Sequence, residues 1–351
     1  MEKFNRDMLQ LGRGARGLTQ EEVARASGVT QALISRIENG LDVPSDEVLS
    51  SLSKALHFPR AFFFEESRAQ GLPQYHYRKR AKLGARTLQK IEADTNIRRM
   101  HVQKLSRSFE IGHRVSAPVI DLDLTELTPQ QAAQQLRGYW TIPRGPIDNL
   151  TAIVENAGIV IIPLDFGTHL LDALSFRIPG VQPLVFMNRK VPGDRYRFTL
   201  AHELAHLILH NSPMSDDQME EEANIFAAEF LMPAIEIRPY LKSPSLGTLG
   251  RTKSLWKVSI KSLISNAYQL KLITPSQYRG LNVNYSKAGY SRGEPFPIAL
   301  EKPNLLSEMI AYHMDNLTYS IGEMARLLLL EAVEFQELYL ERRHLRLVVN
   351  N

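Results

Sequence analysis

Residues 18–40 read LTQEEVARASGVTQALISRIENG, and this stretch predicts two short helices joined at a glycine. Thr19 and Glu22 have the spacing of a capping box, in which each side chain bonds the backbone amide of the other residue. Gly28 follows the first helix, and glycine tolerates the left-handed conformation that a sharp turn needs. The second helix carries apolar residues at helical spacing: Leu33, Ile34 and Ile37. This order of elements is the plan of a helix-turn-helix.

The outer face of the second helix is polar, which suits a helix that reads the edges of bases in the major groove. Its polar residues are Gln31, Ser35 and Arg36, with Thr30 at the start of the helix. Gln20 begins the first helix and is placed for a phosphate contact, which the amides of a helix start assist. We therefore expect double-stranded DNA as a partner and these five residues as its contacts. The alternative is a helical bundle that binds a protein instead.

Across residues 7–57 the sequence resembles the phage-repressor-like (XRE) helix-turn-helix family, most closely in TQEEVARASGVTQALISRIENG. The resemblance implies that Gln31 and Arg36 contact bases or phosphates and that Gln20 anchors the DNA backbone. It also implies that the protein binds an operator as a homodimer, although this segment does not identify the dimer contact.

The composition is that of a multidomain protein. A chain of 351 residues predicts two or three domains, and 44% apolar residues suffice for sizeable cores. No run approaches 18 apolar residues, and the N-terminus MEKFNRDMLQ lacks an apolar signal core. We therefore expect no membrane segment and a cytoplasmic, nucleoid-associated location. The absence of cysteine excludes disulfides and thiolate metal sites, so any metal must bind histidine and carboxylate.

Positive charge is concentrated in one stretch of the chain. Residues 67–107 carry eleven Lys and Arg against two acidic residues, or +9, whereas the whole chain sums to +4. A basic excess beside a DNA-binding segment favours contact with a polyanion, and a solvated helix face is the competing interpretation. From Gly84 to Phe109 the apolar spacing predicts helices, which can lie along DNA, pack as a spacer between domains or dimerise.

A second chemical signal is FTLAHELAHLILH, residues 198–210. On a helix, His202 and His206 lie one turn apart on the same face, so both imidazoles can bind one zinc ion. Glu203 is adjacent and can take a proton from a zinc-activated water. His210 would lie about 12 Å from His202 along a straight helix, too far to share the ion, and we assign it a supporting or structural role.

The third ligand should be a carboxylate from the next helix. The segment DDQMEEEANIFAAEFLMP, residues 216–233, follows Ser215, which can form a capping box with Gln218. It offers three glutamates: Glu220, Glu221 and Glu222. Periodicity alone does not select among them.

The two segments together resemble the ImmA/IrrE family of zinc metallopeptidases over about residues 150–240. The resemblance implies zinc, or Mn²⁺ or another divalent ion, held by three ligands: His202, His206 and Glu222, the glutamate directly before Ala-Asn. It implies Glu203 as the general base. The implied substrate is one specific protein, typically a repressor cut at one site, in stress response, mobile-element or toxin–antitoxin control. Two alternatives remain open: a transcription factor whose zinc domain senses a ligand without cutting, and an antitoxin whose zinc domain holds a toxin.

These patterns predict an α+β, mostly helical protein with four parts. They are an XRE-type bundle of four or five helices (1–65), a basic helical connector (66–115), a zincin-like domain with a small sheet (116–245) and a helical region (246–351). Strands are expected in GIVIIPLDF, ALSFR and PLVFMN. The last, residues 183–188, is predicted to be an edge strand that pairs with an extended substrate. For the C-terminal region, a cap on the metal domain or an oligomer contact is favoured over DNA contact.

Overall fold

Four helices and a 3₁₀ turn form the N-terminal domain in the computed structural model, which describes residues 3–66, 71, 83–109, 115–178, 180–210 and 215–340. They are α1 (Arg6–Ala15), α2 (Gln20–Ser27), α3 (Gln31–Glu38), α4 (Asp46–Leu56) and the turn Arg60–Phe64. The capping box of Thr19 and Glu22 starts α2, and Gly28 between α2 and α3 is left-handed, with φ 71°. The helix-turn-helix therefore forms where the sequence predicts it.

Within residues 83–109, the part of the connector that the structure describes continuously, lies one helix, α5 (Ala85–Leu105), and it packs against α1. Gly14 of α1 permits the close approach, because a Cβ at that position would lie 3.0 Å from the Cβ of Ala93. Ile91, Ile97, Met100, Val102 and Leu105 of α5 are buried. This part of the connector is thus a packed helix.

Several cations of α5 are used within the fold. The Lys90 ammonium donates to the carbonyl of Ala15 at 3.0 Å, and Lys104 pairs with Glu65 at 2.7 Å. Among the three roles that the sequence left open, these contacts favour the packed spacer. Five more cations of the basic stretch, Arg68, Arg78, Lys79, Arg80 and Lys82, lie outside the described residues.

The second domain combines short helices with a three-stranded sheet. Its elements are α6 (Leu122–Thr125), α7 (Pro129–Tyr139), α8 (Leu150–Asn156), β1 (Val160–Leu164), β2 (Ala173–Phe176), β3 (Leu184–Asn188), α9 (Gly193–Leu209), α10 (Asp216–Leu231), α11 (Ala234–Ile237) and the 3₁₀ turn Arg238–Leu241. The strand order is β1-β3-β2, with β3 parallel to β1 and antiparallel to β2.

The prediction that residues 183–188 form an edge strand is wrong, because β3 lies in the centre of the sheet. Phe186 of β3 faces Ile162 of β1 on one side and Leu174 of β2 on the other. All five residues of β3 are buried. The uninterrupted apolar run Leu184–Met187 is typical of a strand covered on both faces, but the edge strand β1 carries a similar run, so this pattern does not tell a central strand from an edge strand.

Six helices follow. They are α12 (Leu246–Trp256), α13 (Ile260–Gln269), α14 (Pro275–Lys287), α15 (Leu305–Asp315), α16 (Ile321–Leu328) and α17 (Ala332–Tyr339). The first three join the second domain, whereas α15 and α16 pack against α5, and α15 also covers β1. The Tyr339 hydroxyl of α17 lies 2.7 Å from Nδ1 of His101 in α5.

The sheet separates two apolar cores. One core joins the N-terminal helices, α5, one face of the sheet and α15–α17. The other joins the opposite face of the sheet to α7–α10, α12 and α13. The prediction of an α+β, mostly helical fold is confirmed. None of the described helices has the length and apolar character that crossing a bilayer requires.

Candidate metal centre and DNA-binding surface

Helix α9 carries the two predicted metal-binding histidines in the interior. Its apolar residues Leu200, Ala201, Leu204, Ala205 and Ile208 are fully buried. His202 and His206 lie one turn apart, and their Nε2 atoms are 3.1 Å from each other. Both side chains are buried as well, so the pair points its nitrogens at one small space.

Helix α10 brings Glu220 to this space. Its Oε1 lies 3.6 Å from Nε2 of His202 and 3.5 Å from Nε2 of His206. Three atoms bound to one zinc ion at 2.0–2.1 Å in tetrahedral geometry lie roughly 3.3 Å apart. The separations of 3.1, 3.5 and 3.6 Å therefore fit a zinc-sized ion. Two imidazoles and one carboxylate are also a donor set that zinc takes in proteins.

The sequence resemblance implied Glu222 as the third ligand, but the structure does not place Glu222 beside the two histidines. The Glu222 carboxylate turns to His210, with Oε2 3.2 Å from its Nε2, and to Gln218, whose amide donates to Oε1 at 2.9 Å. Glu221, the remaining glutamate of this run, is exposed. Residue 220 projects towards the histidine pair within α9, whereas residue 222 projects towards His210 at the end of that helix. The grouping of donor atoms around one point is accordingly His202, His206 and Glu220.

Glu203, the predicted general base, lies next to the histidines and is only 1% exposed. The hydroxyl of Ser175 donates to its Oε2 at 2.6 Å. Ser175 lies on β2, the edge strand that packs against α9. We did not predict Ser175 from the sequence, since nothing in ALSFR indicates that its hydroxyl reaches a residue 28 positions away.

His210 ends α9 and returns to the site. Its Nδ1 lies 2.8 Å from Nδ1 of His206, and its side chain is fully buried. Burial lowers the pKa of His210, and the neighbouring Glu222 carboxylate acts in the opposite direction. The residue thus contacts a predicted metal ligand, His206, without directing its own nitrogen to the same space.

Two of the predicted DNA-binding residues, Gln20 of α2 and Gln31 of α3, are connected by a hydrogen bond. The Gln31 amide donates to Oε1 of Gln20 at 2.8 Å, and the Gln20 amide donates to Oε2 of Glu38 at 2.8 Å. Glu38 is buried against Arg13, whose Nε donates to Oε1 at 2.6 Å. This buried ion pair holds Gln20, and Gln20 holds Gln31. Arg13 and Glu38 were not predicted from the sequence, because their pairing needs α1 and α3 side by side.

The other three predicted DNA-binding residues differ in their exposure and in the bonds that they make within the protein. Arg36 is exposed, but its Nε donates to Asp42 at 2.6 Å and its Nη2 donates to the same carboxylate at 3.1 Å. The hydrogen bonds to Asp42 raise the pKa of Arg36. The Thr30 hydroxyl caps α3 by accepting from the amide of Leu33. Ser35 lies on the same outer side of α3 and is half-buried.

Comparison with known proteins gives two matches to families and one to a curated relative. The family described as "Helix-turn-helix" matches residues 9–63, and the family described as "IrrE N-terminal-like domain" matches residues 154–266. An uncharacterized HTH-type transcriptional regulator of Bacillus subtilis (strain 168), YqaF, is 39% identical over 61 residues. That alignment covers 17% of this chain and 80% of the relative.

Proposed function

Because the chain belongs to the helix-turn-helix transcriptional regulators and carries an IrrE-like domain, we propose that its second domain is a zinc-dependent endopeptidase. The observation that carries the proposal is the spacing of His202, His206 and Glu220, whose donor atoms suit one zinc ion. Mn²⁺ or another divalent ion competes for the same ligands, and metal analysis of the purified protein distinguishes them. Glu222 is assigned a different role below.

The residues around this centre have separate roles in peptide hydrolysis. A bound zinc ion would supply a Lewis acid at the scissile carbonyl. Glu203 takes the proton of the attacking water and passes it to the leaving amine. Ser175 holds the Glu203 carboxylate in place through its hydroxyl. Since β2 is an edge strand and carries Ser175, an extended substrate pairs with β2, rather than with β3 as the sequence suggested.

The substrate is a specific protein, and we propose a repressor, cut in stress, mobile-element or toxin–antitoxin control. The N-terminal domain directs the protein to operator DNA through Gln20, Thr30, Gln31, Ser35 and Arg36 as a homodimer. This places its action in the cytoplasm, at the nucleoid. The support is the pairing of a DNA-binding domain and a peptidase-family domain in one chain.

The test compares wild type with Glu203→Gln, which removes the base and keeps the metal ligands. Cells expressing either protein, with and without DNA damage or oxidative stress, are surveyed for new protein N-termini. We expect a cut that appears with wild type and not with Glu203→Gln, while both purified proteins retain zinc. Glu221→Gln, at an exposed position of α10, is the control and should cut like wild type.

The opposite result has a clear meaning. If both proteins hold zinc and their N-termini agree under every condition, the zinc domain does not cut proteins. The chain is then a regulator that senses a ligand, or an antitoxin if a toxin copurifies with it.

A further inference from the structure

We infer that Glu222 and His210 form a hydrogen-bonded chain that orients the metal ligand His206, and that this chain sets the affinity of the centre for its ion. The inference rests on the metal site of the proposed function and deepens it. The chain runs from Nδ1 of His206 to Nδ1 of His210, a distance of 2.8 Å, and from Nε2 of His210 to Oε2 of Glu222, a distance of 3.2 Å.

The positions of the protons follow from the roles of the ring nitrogens. A contact between two Nδ1 atoms needs one donor and one acceptor. Nε2 of His206 faces Nε2 of His202 and the Glu220 carboxylate, so a cation there takes its lone pair and leaves the proton on Nδ1. His206 then donates to His210. Nδ1 of His210 accepts, which puts its proton on Nε2, and that nitrogen donates to Glu222.

One arrangement of protons therefore satisfies every nitrogen in the chain and the carboxylate that ends it. Partners of this kind fix the tautomer and the rotation of a metal-binding imidazole and raise its basicity as a ligand. The far end is also held, because the Gln218 amide donates to Oε1 of Glu222 at 2.9 Å. The His210 side chain is fully buried and that of Glu222 is 15% exposed, so water competes little with either bond.

The chain also explains why α10 has two functional glutamates two residues apart. Glu220 reaches the ion directly, and Glu222 reaches it through two imidazoles. A simple ion pair that fastens the end of α9 to α10 would not require the contact of His210 with His206. Loss of such an orienting partner typically weakens metal binding by about 10–100-fold.

The experiment measures the zinc dissociation constant of the full chain by competition with a chromogenic chelator. The variants are His210→Phe, which removes both hydrogen bonds, and His210→Asn, whose amide oxygen can still accept from His206. Glu222→Gln and Glu222→Ala test the far end, and Glu221→Gln is the control. We expect His210→Phe and Glu222→Ala to weaken zinc binding by about 10–100-fold. His210→Asn and Glu222→Gln should lose less, and Glu221→Gln should match wild type.

A second measurement separates orientation from folding. The Co²⁺-loaded proteins report ligand geometry through their visible absorption, and the metal-free proteins report folding through circular dichroism. If His210→Phe does not fold, the comparison of His210→Asn, Glu222→Gln and Glu222→Ala carries the test.

Folded variants that all bind zinc within twofold of wild type, with unchanged Co²⁺ spectra, overturn the inference. A wild type that binds no zinc, or binds it as well without the Glu220 carboxylate, would instead contradict the metal site itself. The two failures are therefore distinguishable.

Discussion

At the scale of single residues, Glu220 and Glu222 differ by two positions, which is a rotation of about 200° around a helix axis. Each therefore faces a different part of α9: Glu220 lies beside the pair His202 and His206, and Glu222 lies beside His210 at the end of the helix. The sequence supplies the histidine pair through its spacing of four and an apolar face of α10, but both glutamates flank that face, and which of them lies beside the pair depends on how α10 is rotated against α9. That rotation is fixed by tertiary packing, in which Ala223, Phe226, Ala227 and Phe230 of α10 are buried in the second core.

We expect Glu220→Gln to abolish stoichiometric zinc binding, because an amide is a weak ligand where the carboxylate lies within 3.6 Å of both histidine nitrogens. Glu222→Gln should retain zinc, since its carboxylate contacts His210 instead. The measurement is metal content per chain after dialysis against a weak chelator. Zinc retained by Glu220→Gln and lost by Glu222→Gln would restore Glu222 as the ligand.

At the scale of elements, helix starts with local signals were predictable. The capping boxes of Thr19 with Glu22, Thr128 with Gln131 and Ser320 with Glu323 all form, because a capping box needs only residues three apart. At α10 only half of the expected box forms: Ser215 caps the helix, but the Gln218 side chain donates to Glu222 instead. Strand order was not predictable in this way, since the place of β3 depends on how β1 and β2 arrange around it.

The start of α15 shows why some helix boundaries cannot be predicted from neighbouring residues alone. Asn304 precedes this helix but makes no capping bond with its side chain. The cap comes from Glu155 of α8, whose carboxylate accepts from the backbone amides of Asn304 and Leu305 at 2.9–3.1 Å. Burial raises the pKa of Glu155 to about 7, against the two amides, which lower it.

This shift has a definite sign for stability. The ordinary pKa of 4.5 applies in the unfolded chain, so between pH 4.5 and about 7 the folded protein holds more of this proton. The stability that the raised pKa of Glu155 contributes to the folded protein is fully present below pH 4.5 and is lost as the pH rises through about 7.

Glu155→Gln keeps an oxygen acceptor for the amides and removes the titration. Relative to wild type, we expect its free energy of unfolding to rise by up to about 3 kcal/mol between pH 4.5 and pH 8. Urea unfolding of both metal-free proteins at the two pH values measures this difference. Glu337→Gln, at an exposed position of α17, should show no such change. A difference between Glu155→Gln and wild type that does not depend on pH would contradict the shift.

At the scale of the whole molecule, the last helices of the described chain pack against the first ones. Helices α15–α17 share an apolar core with the N-terminal helices and α5. They therefore lie on the face of the sheet opposite α9 and cover the second domain on the side away from the predicted metal centre. The sequence predicts a helical region here, but which surface an amphipathic helix covers depends on contacts hundreds of residues away, and one sequence does not encode them in any local pattern.

The contact between Arg16 and Glu334 joins the N-terminal domain to α17. The guanidinium makes two parallel bonds to the carboxylate, at 2.6 and 2.7 Å, across 318 residues of sequence. Arg16 is already held by the carbonyls of Leu56 and His57 and lies 4.2 Å from the ring centre of Phe58. Because these contacts fix the Arg16 side chain without Glu334, the ion pair loses little side-chain entropy when it forms.

We therefore expect Glu334→Gln to loosen α17 from the N-terminal domain by about 1.5–3 kcal/mol, the range for a hydrogen bond to a charged group. Hydrogen exchange of the backbone amides is the measurement, and the amides of α17 should exchange roughly 10- to 150-fold faster at this loss. Glu331→Gln, three residues earlier and exposed, is the matched control. Exchange in α9 should not change, because α9 belongs to the second core and α17 to the first. If α17 exchanges equally in both variants, the apolar core alone holds it against the N-terminal domain.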